Sequence, residues 1–335
     1  DVYKRQLISS AGPQTADLTD TAHRLRNEGI ELWDSGDMVL SMEKFKSSLA
    51  LFAELYDRNR EGQATFFELG QAEFWIGQVY LDRGDLDLAE EAFLSYAEIT
   101  RRLIHKQPKK AEWVLEMAYA LTNLGAVEKA REAINPERNL QYMQSALEYN
   151  QIALVLDPEN EYYLSELGQS HANLADAQLK VCDLDGALQS RNQGLALETR
   201  LLQDDSENPK RQEDLALALT GYAGVQVQLG NNDDARASYE KSLQLIELSA
   251  RPGKNTRTIR DLVERRNYII WLDAMSGRID EAWAISEEQV YDGRSLLETG
   301  LGNISTLIIY TNYLLDRAWL ANEKGNTGLA ADLLE

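Results

Sequence analysis

Apolar residues recur along most of the chain at the three- and four-residue spacing of one face of a helix. One such face in the second repeat described below consists of Leu69, Ala72, Trp75, Ile76, Val79 and Tyr80. Arg83-Gly84-Asp85 interrupts the pattern, because glycine tolerates the left-handed conformation that ends a helix and aspartate can cap the next one. A second apolar face then follows at Leu88, Ala89, Ala92, Phe93, Tyr96 and Ile99. The pattern predicts two helices of roughly twenty residues, each about 30 Å long, joined by a short turn.

This helix–turn–helix pattern repeats along the chain. Glu166–Ala187 has the same Glu-Leu-Gly-Gln head and Asp-Leu-Asp-x-Ala tail as Glu68–Ala89, 98 residues earlier. Small residues in the first helix recur at steps of 48, 48, 50 and 48, at Gly29, Gly77, Gly125, Ala175 and Ala223. A second series in the second helix is Ser41, Ala89, Ala146, Ala187, Ala235, Ala282 and Ala330. The two series predict seven stacked repeats, in which each unit buries its apolar faces against its neighbours.

The third repeat is irregular in this alignment. Ala146 lies 57 residues after Ala89 and 41 before Ala187, and Asn135-Pro136 falls in the extra residues. Proline inside a helix loses a hydrogen bond and clashes with the preceding turn. We therefore expect the first helix of this repeat to extend about two turns beyond its counterparts, to about Ile134, with Asn135-Pro136 at the turn.

The repeated residues resemble the tetratricopeptide repeat. In the second repeat the similarity rests on Gly77, Tyr80, Gly84-Asp85, Ala89 and Phe93. The period of about 48 residues exceeds the roughly 34 of that family and resembles a long-helix variety common in bacterial multidomain proteins. The resemblance covers about residues 21–335. It implies an all-α fold, a right-handed α-solenoid of about seven tetratricopeptide-like helix–turn–helix repeats.

The ends of the chain depart from the repeat. Residues 1–20 are polar and are predicted to form a disordered leader, and residues 1–6 look like the translation of a sequencing adaptor. The array is expected to occupy 21–335 as a single domain that is truncated in its seventh repeat, because Gly325–Glu335 opens a second helix without a polar cap. The resemblance then implies the repeat region of a larger bacterial signalling or regulatory protein.

The net charge and the cysteine content limit the classes of partner that the protein can bind and the cellular compartment in which it is expected. With 34 basic and 55 acidic residues the net charge is −21, which opposes binding to nucleic acid and to anionic membranes and favours basic partners. The single cysteine, Cys182, excludes an internal disulfide and stands where the sister turns have Gly84 and Gly230. No apolar run approaches the length of a membrane span. The sequence thus predicts a soluble cytoplasmic protein.

No set of residues in the sequence indicates chemistry. The three histidines, His23, His105 and His171, are far apart and have no partner at metal-ligand spacing. Gly300-Leu-Gly-Asn303 lacks the third glycine and the Lys-Ser/Thr of a phosphate-binding loop. Most carboxylates fall on polar helix faces rather than in a dry pocket suited to acid–base catalysis. We therefore expect no enzymatic activity, no metal and no cofactor.

If the array curves as the resemblance implies, the first helices line its concave face. Positions six and three before the small residue, and one and four after it, should then point inward. We expect a protein or peptide ligand to bind there in repeats two to five, at Gln71, Phe74, Gln78, Tyr119, Thr122, Gln169, Asp176 and Thr220. Because the core faces are already assigned to leucine, alanine and tryptophan at helical spacing, these residues are expected to have no packing role, and Phe74 and Tyr119 to be exposed aromatic anchors for the ligand. The clamp that some relatives use for a terminal carboxylate is absent, since Gln78 and Asp176 replace its asparagine.

Two functions remain open from the sequence. One is a non-catalytic scaffold that binds a protein segment. The alternative is an architectural or oligomerising spacer attached to an upstream enzymatic domain such as a protein kinase, with self-association through the C-terminal repeat.

Overall fold

The chain is all-α, as the sequence predicts. The computed structural model describes residues 13–131, 135–250, 255–300 and 304–334, and these residues contain 15 helices and no strand. The chain forms two compact units, Asp1–Val181 and Cys182–Glu335. The helices of the first unit are α1 (Pro13–Asp34), α2 (Met38–Arg58), α3 (Gln63–Asp82), α4 (Leu86–Lys106), α5 (Ala111–Ala130), α6 (Pro136–Leu156) and α7 (Glu161–Lys180). Those of the second unit are α8 (Leu184–Asp204), α9 (Pro209–Gln228), α10 (Asn232–Ser249), α11 (Thr256–Met275), α12 (Ile279–Glu288), α13 (Val290–Gly300), α14 (Ile304–Glu323) and α15 (Thr327–Asp332).

The small residue of each first helix lies five residues before the end of that helix, so the predicted register is confirmed. The reason for a small residue at this position is visible in α3. A Cβ added to Gly77 would lie only 2.5 Å from Cε1 of Phe93 on α4. Gly29 of α1 is covered in the same way by the ring of Phe45, at 2.7 Å from the added Cβ. Glycine therefore lets an aromatic ring of the second helix rest on the backbone of the first.

The expected extension of the first helix in the third repeat is wrong. Helix α5 ends at Ala130 and has 20 residues, the same length as α3 and α7. Ile134 lies outside the described residues. Asn135-Pro136 does stand between the two helices: the Asn135 side chain accepts a hydrogen bond from the Arg138 N–H at 3.2 Å, and Pro136 opens α6.

The irregular spacing of the second series disappears when Asn139 takes the place of Ala146 in it. Ser41, Ala89, Ala187 and Ala235 are each the fourth residue of their helix, and in α6 that residue is Asn139. With Asn139 in the series, the steps become 48, 50, 48, 48, 47 and 48. Asn139 is buried, and its Oδ1 lies 2.9 Å from where a Cβ on Gly125 would be. The sequence search missed it because only small residues were accepted at this slot.

The boundary of the predicted leader is also wrong. Helix α1 begins at Pro13, so residues 13–20 are helical, while residues 1–12 lie outside the described part of the chain. Leu18 and Ala22 pack against Phe52 and Leu55 of α2. This apolar contact stabilises the first turns of α1, and proline is well tolerated at the start of a helix.

Cys182 lies in the turn of its repeat at the position of Gly84 and Gly230, as the sequence predicts. Gly84 and Gly230 have φ values of 76° and 79°, in the left-handed region that favours glycine. Cys182 adopts the same conformation with φ of 59°, the one described non-glycine residue with positive φ.

In the second unit, the second helix of the sixth repeat is broken into α12 and α13. The side chain of Gln289, buried at the break, donates from Nε2 to Oδ1 of Asn267 on α11 at 2.7 Å. Arg317 of α14 donates from Nη1 to the Ser286 carbonyl at 2.8 Å. Val263 of α11 and Tyr313 of α14 contact each other's helices directly through a shared apolar cluster. These contacts place α14 beside α11.

Candidate functional site

The predicted inner-face residues of the first unit are hydrogen-bonded to the next first helix. Gln71 of α3 donates from Nε2 to Oε2 of Glu116 on α5 at 2.7 Å. Gln78 donates from Nε2 to Oδ1 of Asn123 at 2.6 Å. The expectation that these amides have no packing role is therefore wrong: each ties one repeat to the next, 45 residues further along the chain.

The two aromatic residues proposed as anchors are also engaged. Phe74 is half-buried and packs edge-on against Trp75 and Tyr96, with ring centroids 5.1 and 5.8 Å apart. Tyr119 is half-buried, and its hydroxyl shares a hydrogen bond with the hydroxyl of Tyr162 on α7. Neither ring is the exposed anchor that the sequence suggested.

The remaining predicted residues are placed less uniformly. Thr122 is half-buried on α5, while Gln169 and Asp176 are exposed on α7. Thr220 belongs to the second unit, where its hydroxyl donates to the Ala216 carbonyl at 2.9 Å and lies 2.9 Å from the hydroxyl of Ser242. Partner binding by these residues stays a prediction, and Gln169 is the most accessible member from which to test it.

Sequence reasoning missed a row of carboxylates nine residues before each small residue, at Glu68, Glu116 and Glu166. Oε1 of Glu68 lies 2.9 Å from Nε2 of His23, and Oε2 accepts from Arg26. Burial acts to raise the pKa of Glu68, but the bonds from these two partners outweigh burial and lower the pKa. The signal was present in the sequence, because Glu68 and Glu166 open the repeated Glu-Leu-Gly-Gln segment.

The described part of the chain supplies no basic partner for the other two carboxylates, and their pKa values shift in the opposite direction. Burial raises the pKa of Glu116 to about 7, although the Tyr96 hydroxyl and Gln71 donate to it and act to lower the pKa. Burial likewise raises the pKa of Glu166, opposed by hydrogen bonds from Tyr119 and Tyr162. This row therefore acts as a hydrogen-bonded connection between repeats. Among the described residues no group of three His, Cys, Asp or Glu side chains could hold a metal ion.

The second unit presents a different surface at the same register. A groove of about 200 Å³ opens between α11 and α14. It is lined by Ile270, Trp271, Ala274, Met275, Asp316, Trp319 and Leu320. Trp271, Met275 and Trp319 remain 44%, 68% and 46% exposed. Large apolar side chains left in water on two adjacent helices are typical of an interaction site.

Asp316 is the one charged side chain among the described residues that line this groove. Asp316 is half-buried, and burial alone raises the pKa of its carboxyl to about 6. Within the described ranges it makes no hydrogen bond and no ion pair. A carboxylate is thus held at the apolar groove without a group to compensate its charge.

The register positions that the sequence predicts to point inward would also have identified this groove. Trp271 and Trp319 stand one residue after Ile270 and Ala318, which occupy the small-residue slot of repeats six and seven. This is the register position of Gln78 in α3. The search was confined to repeats two to five, and the bulky Ile270 hides the continuation of the small-residue series.

Comparison with known proteins identifies the fold. No family model matches the sequence, and no curated protein matches it significantly. Among solved structures, a Signal Transduction ATPase with Numerous Domains with a tetratricopeptide repeat sensor, from Pyrococcus horikoshii, has a TM-score of 0.64 at 13% identity. The match covers 99% of this chain and 42% of that one, so this chain spans less than half of that protein.

Two further structures are similar over most of both chains. BtubC from P. vanneervenii has a TM-score of 0.57 at 13% identity, covering 76% of this chain and 90% of that one. The apo form of RapI has a TM-score of 0.55 at 12% identity, covering 93% and 94%. The chain therefore has the fold of tetratricopeptide-type helical repeat proteins, as the residue pattern implied.

In the part of the chain that the structure describes, no helix has both the length and the apolar character to cross a bilayer.

Proposed function

We propose that this chain is a non-catalytic interaction scaffold that binds a segment of a partner protein on the faces of its first helices. The observation that carries the proposal is the pair of exposed tryptophans, Trp271 and Trp319, at equal register positions of α11 and α14. Tryptophan is enriched among the residues that dominate interface energies, because it buries a large area and keeps one polar atom.

The proposal also covers the larger protein to which the scaffold belongs. The similar Pyrococcus structure carries its tetratricopeptide repeats as a sensor within a longer signalling ATPase. This likeness supports a role for the present chain as the repeat region of a larger regulatory protein, acting in the bacterial cytoplasm. The acidic net charge of −21 favours a partner segment that carries basic residues.

Site-specific photo-crosslinking tests the proposal. A photoreactive phenylalanine analogue replaces Trp271 or Trp319 in the protein expressed in its native cell, and the crosslinked species are identified by mass spectrometry. Val155 of α6, which is 78% exposed in the first unit, is the matched control position. We expect both tryptophan positions, and not position 155, to capture the same segment of one partner.

Two outcomes would overturn this proposal. Capture of a second copy of this chain alone would favour the oligomerising spacer, and sedimentation analysis would show the corresponding dimer. Absence of capture at both positions would remove the groove from the interaction surface. The analogue placed at Gln169 examines in the same way whether the predicted face of repeats two to five also contacts the partner.

A further inference from the structure

The groove between α11 and α14 combines features that together recognise a positive charge. Trp271 and Trp319 line it with two indole rings, and Asp316 contributes a carboxylate. A cation over the face of an indole ring is attracted by the ring's quadrupole, and tryptophan is the best of the aromatic residues in this respect. Nothing else that titrates lies among the described residues lining the groove.

Among the described residues, Asp316 has no basic partner. Elsewhere in the unit, two more deeply buried carboxylates have a basic partner: Asp292 lies 2.7 Å from Nη1 of Arg266, and Oδ1 of Asp273 accepts from Nε of Arg236 at 2.7 Å. Arg317, the residue next to Asp316, instead donates to the Ser286 carbonyl at 2.8 Å. A half-buried carboxylate without a described counter-charge destabilises the free protein, and a ligand cation would remove that cost.

The apolar lining indicates that the cation belongs to a long side chain rather than to a metal ion. Ala274, Met275 and Leu320 lie beside the two tryptophans and the carboxylate. Lysine and arginine bury an aliphatic stem against apolar surface while their charged end reaches a polar group. A small hydrated metal ion would find one carboxylate and no other oxygen ligand among the lining side chains.

We propose that this groove binds the basic side chain, arginine or lysine, of a partner protein segment, with Asp316 as the counter-ion and Trp271 and Trp319 flanking the charge. This inference rests on the proposed scaffold function, since it names the partner chemistry at the same groove. The net charge of −21 adds a long-range attraction for such a segment.

The test compares two peptides that differ in charge at one side chain. The probes are acetyl-Ala-Leu-Arg-Leu-Ala-amide and the same peptide with citrulline, which keeps the shape of arginine and lacks its charge. Binding is followed in the nitrogen–proton NMR spectrum through the indole signals of the six tryptophans. The signals of Trp271 and Trp319 are assigned from the Trp271→Phe and Trp319→Phe variants.

We expect the arginine peptide to shift the signals of Trp271 and Trp319 and to bind at least tenfold more tightly than the citrulline peptide, because a charge-assisted bond is lost with citrulline. Asp316→Asn should reduce the affinity for the arginine peptide to that of the citrulline peptide. Glu323→Gln is the matched control, because Glu323 is exposed on the same helix and does not line the groove.

Equal affinities for the two peptides would overturn the cation site and leave an apolar groove. Equal losses in Asp316→Asn and Glu323→Gln would show that net charge, rather than the site, attracts the peptide. Shifts confined to other tryptophans would place the binding elsewhere. If crosslinking at positions 271 and 319 still captures a partner in any of these cases, the scaffold function stands and only its basic ligand is wrong.

Discussion

The first helices of the two units use the same register position in opposite ways. One residue after the small-residue slot, α3 has Gln78, whose amide reaches Asn123 of α5 at 2.6 Å. At that position α11 has Trp271, which remains 44% exposed although α14 lies beside it. Helix α3 uses this register position to connect one repeat to the next. Helix α11 leaves apolar surface in water there, which is unfavourable unless something covers it.

The largest expected effect is a difference in protein stability between replacing a packed aromatic residue, Phe74, and an exposed one, Trp271. Phe74→Ala should destabilise the protein by about 2–3 kcal/mol, somewhat below the loss for a fully buried phenylalanine, because its ring packs on Trp75, Phe93 and Tyr96. Trp271→Ala should cost less than about 1 kcal/mol, since the side chain is partly exposed. Urea unfolding followed by circular dichroism gives both values, fitted with separate transitions if the two units unfold independently. Similar losses for both variants would show that Trp271 is a structural residue and would weaken the comparison.

Asp316→Asn tests whether the groove carries an uncompensated charge. The pKa of Asp316 is about 6 in the folded protein and near 3.8 when exposed, so the ionised form disfavours the folded state. Stability contributed by the protonated form is therefore present below about pH 4 and is lost as the pH rises to about 6. At pH 7.5 we expect the variant to be more stable by on the order of 1 kcal/mol, because solvent screens a partly exposed carboxyl. At pH 3.5 the melting temperatures of variant and parent should agree, and a stabilisation that persists at pH 3.5 would assign the effect to packing.

Glu116 supplies the corresponding experiment in the first unit. Its pKa of about 7 also lies above the ordinary value of 4.5, so the protein should lose stability as the pH rises from about 4.5 to about 7. Glu116→Gln should flatten this part of the stability curve. The arginine peptide should shift the titration of Asp316, followed by carboxyl-carbon NMR, to lower pH and leave that of Glu116 unchanged, because Tyr96 and Gln71 already occupy the Glu116 carboxylate. Movement of both titrations would show that the peptide acts on the whole charge of the protein.

The smallest effect concerns the amide pair that connects α3 and α5. Gln78→Ala should cost about 0.5–1.5 kcal/mol, the usual net contribution of one hydrogen bond. A double-mutant cycle with Asn123→Ala isolates the pair, and we expect a coupling of about 0.5 kcal/mol or more. Purely additive losses would mean that the amide contact does not connect the repeats.

The sequence predicts the helices well because each repeat is a local pattern. The turn at Gly84 and the contact between Gly77 and Phe93 involve residues within about one repeat, and helical spacing encodes both. The pairing of Gln71 with Glu116 joins residues 45 apart on stacked helices, and no local pattern predicts which side chain reaches which. Exposure of Trp271 likewise depends on the neighbouring repeat. The predicted residues do lie on the first helices, but Gln71, Gln78 and Tyr119 already contact side chains of the neighbouring repeat.

The connection between α5 and α6 also has a use beyond this protein's own function. Five residues separate Ala130 from Pro136, against three between Asp82 and Leu86, yet the helices on both sides keep their normal lengths and registers. The two additional residues of this connection are thus accommodated without a change in the length of either flanking helix. Protein engineers can treat this turn as a graft point, since extra loop length costs little entropy when the ends are already close. We expect a reporter peptide or a small tag inserted there to leave the groove of α11 and α14 unchanged, because the groove lies in the other unit.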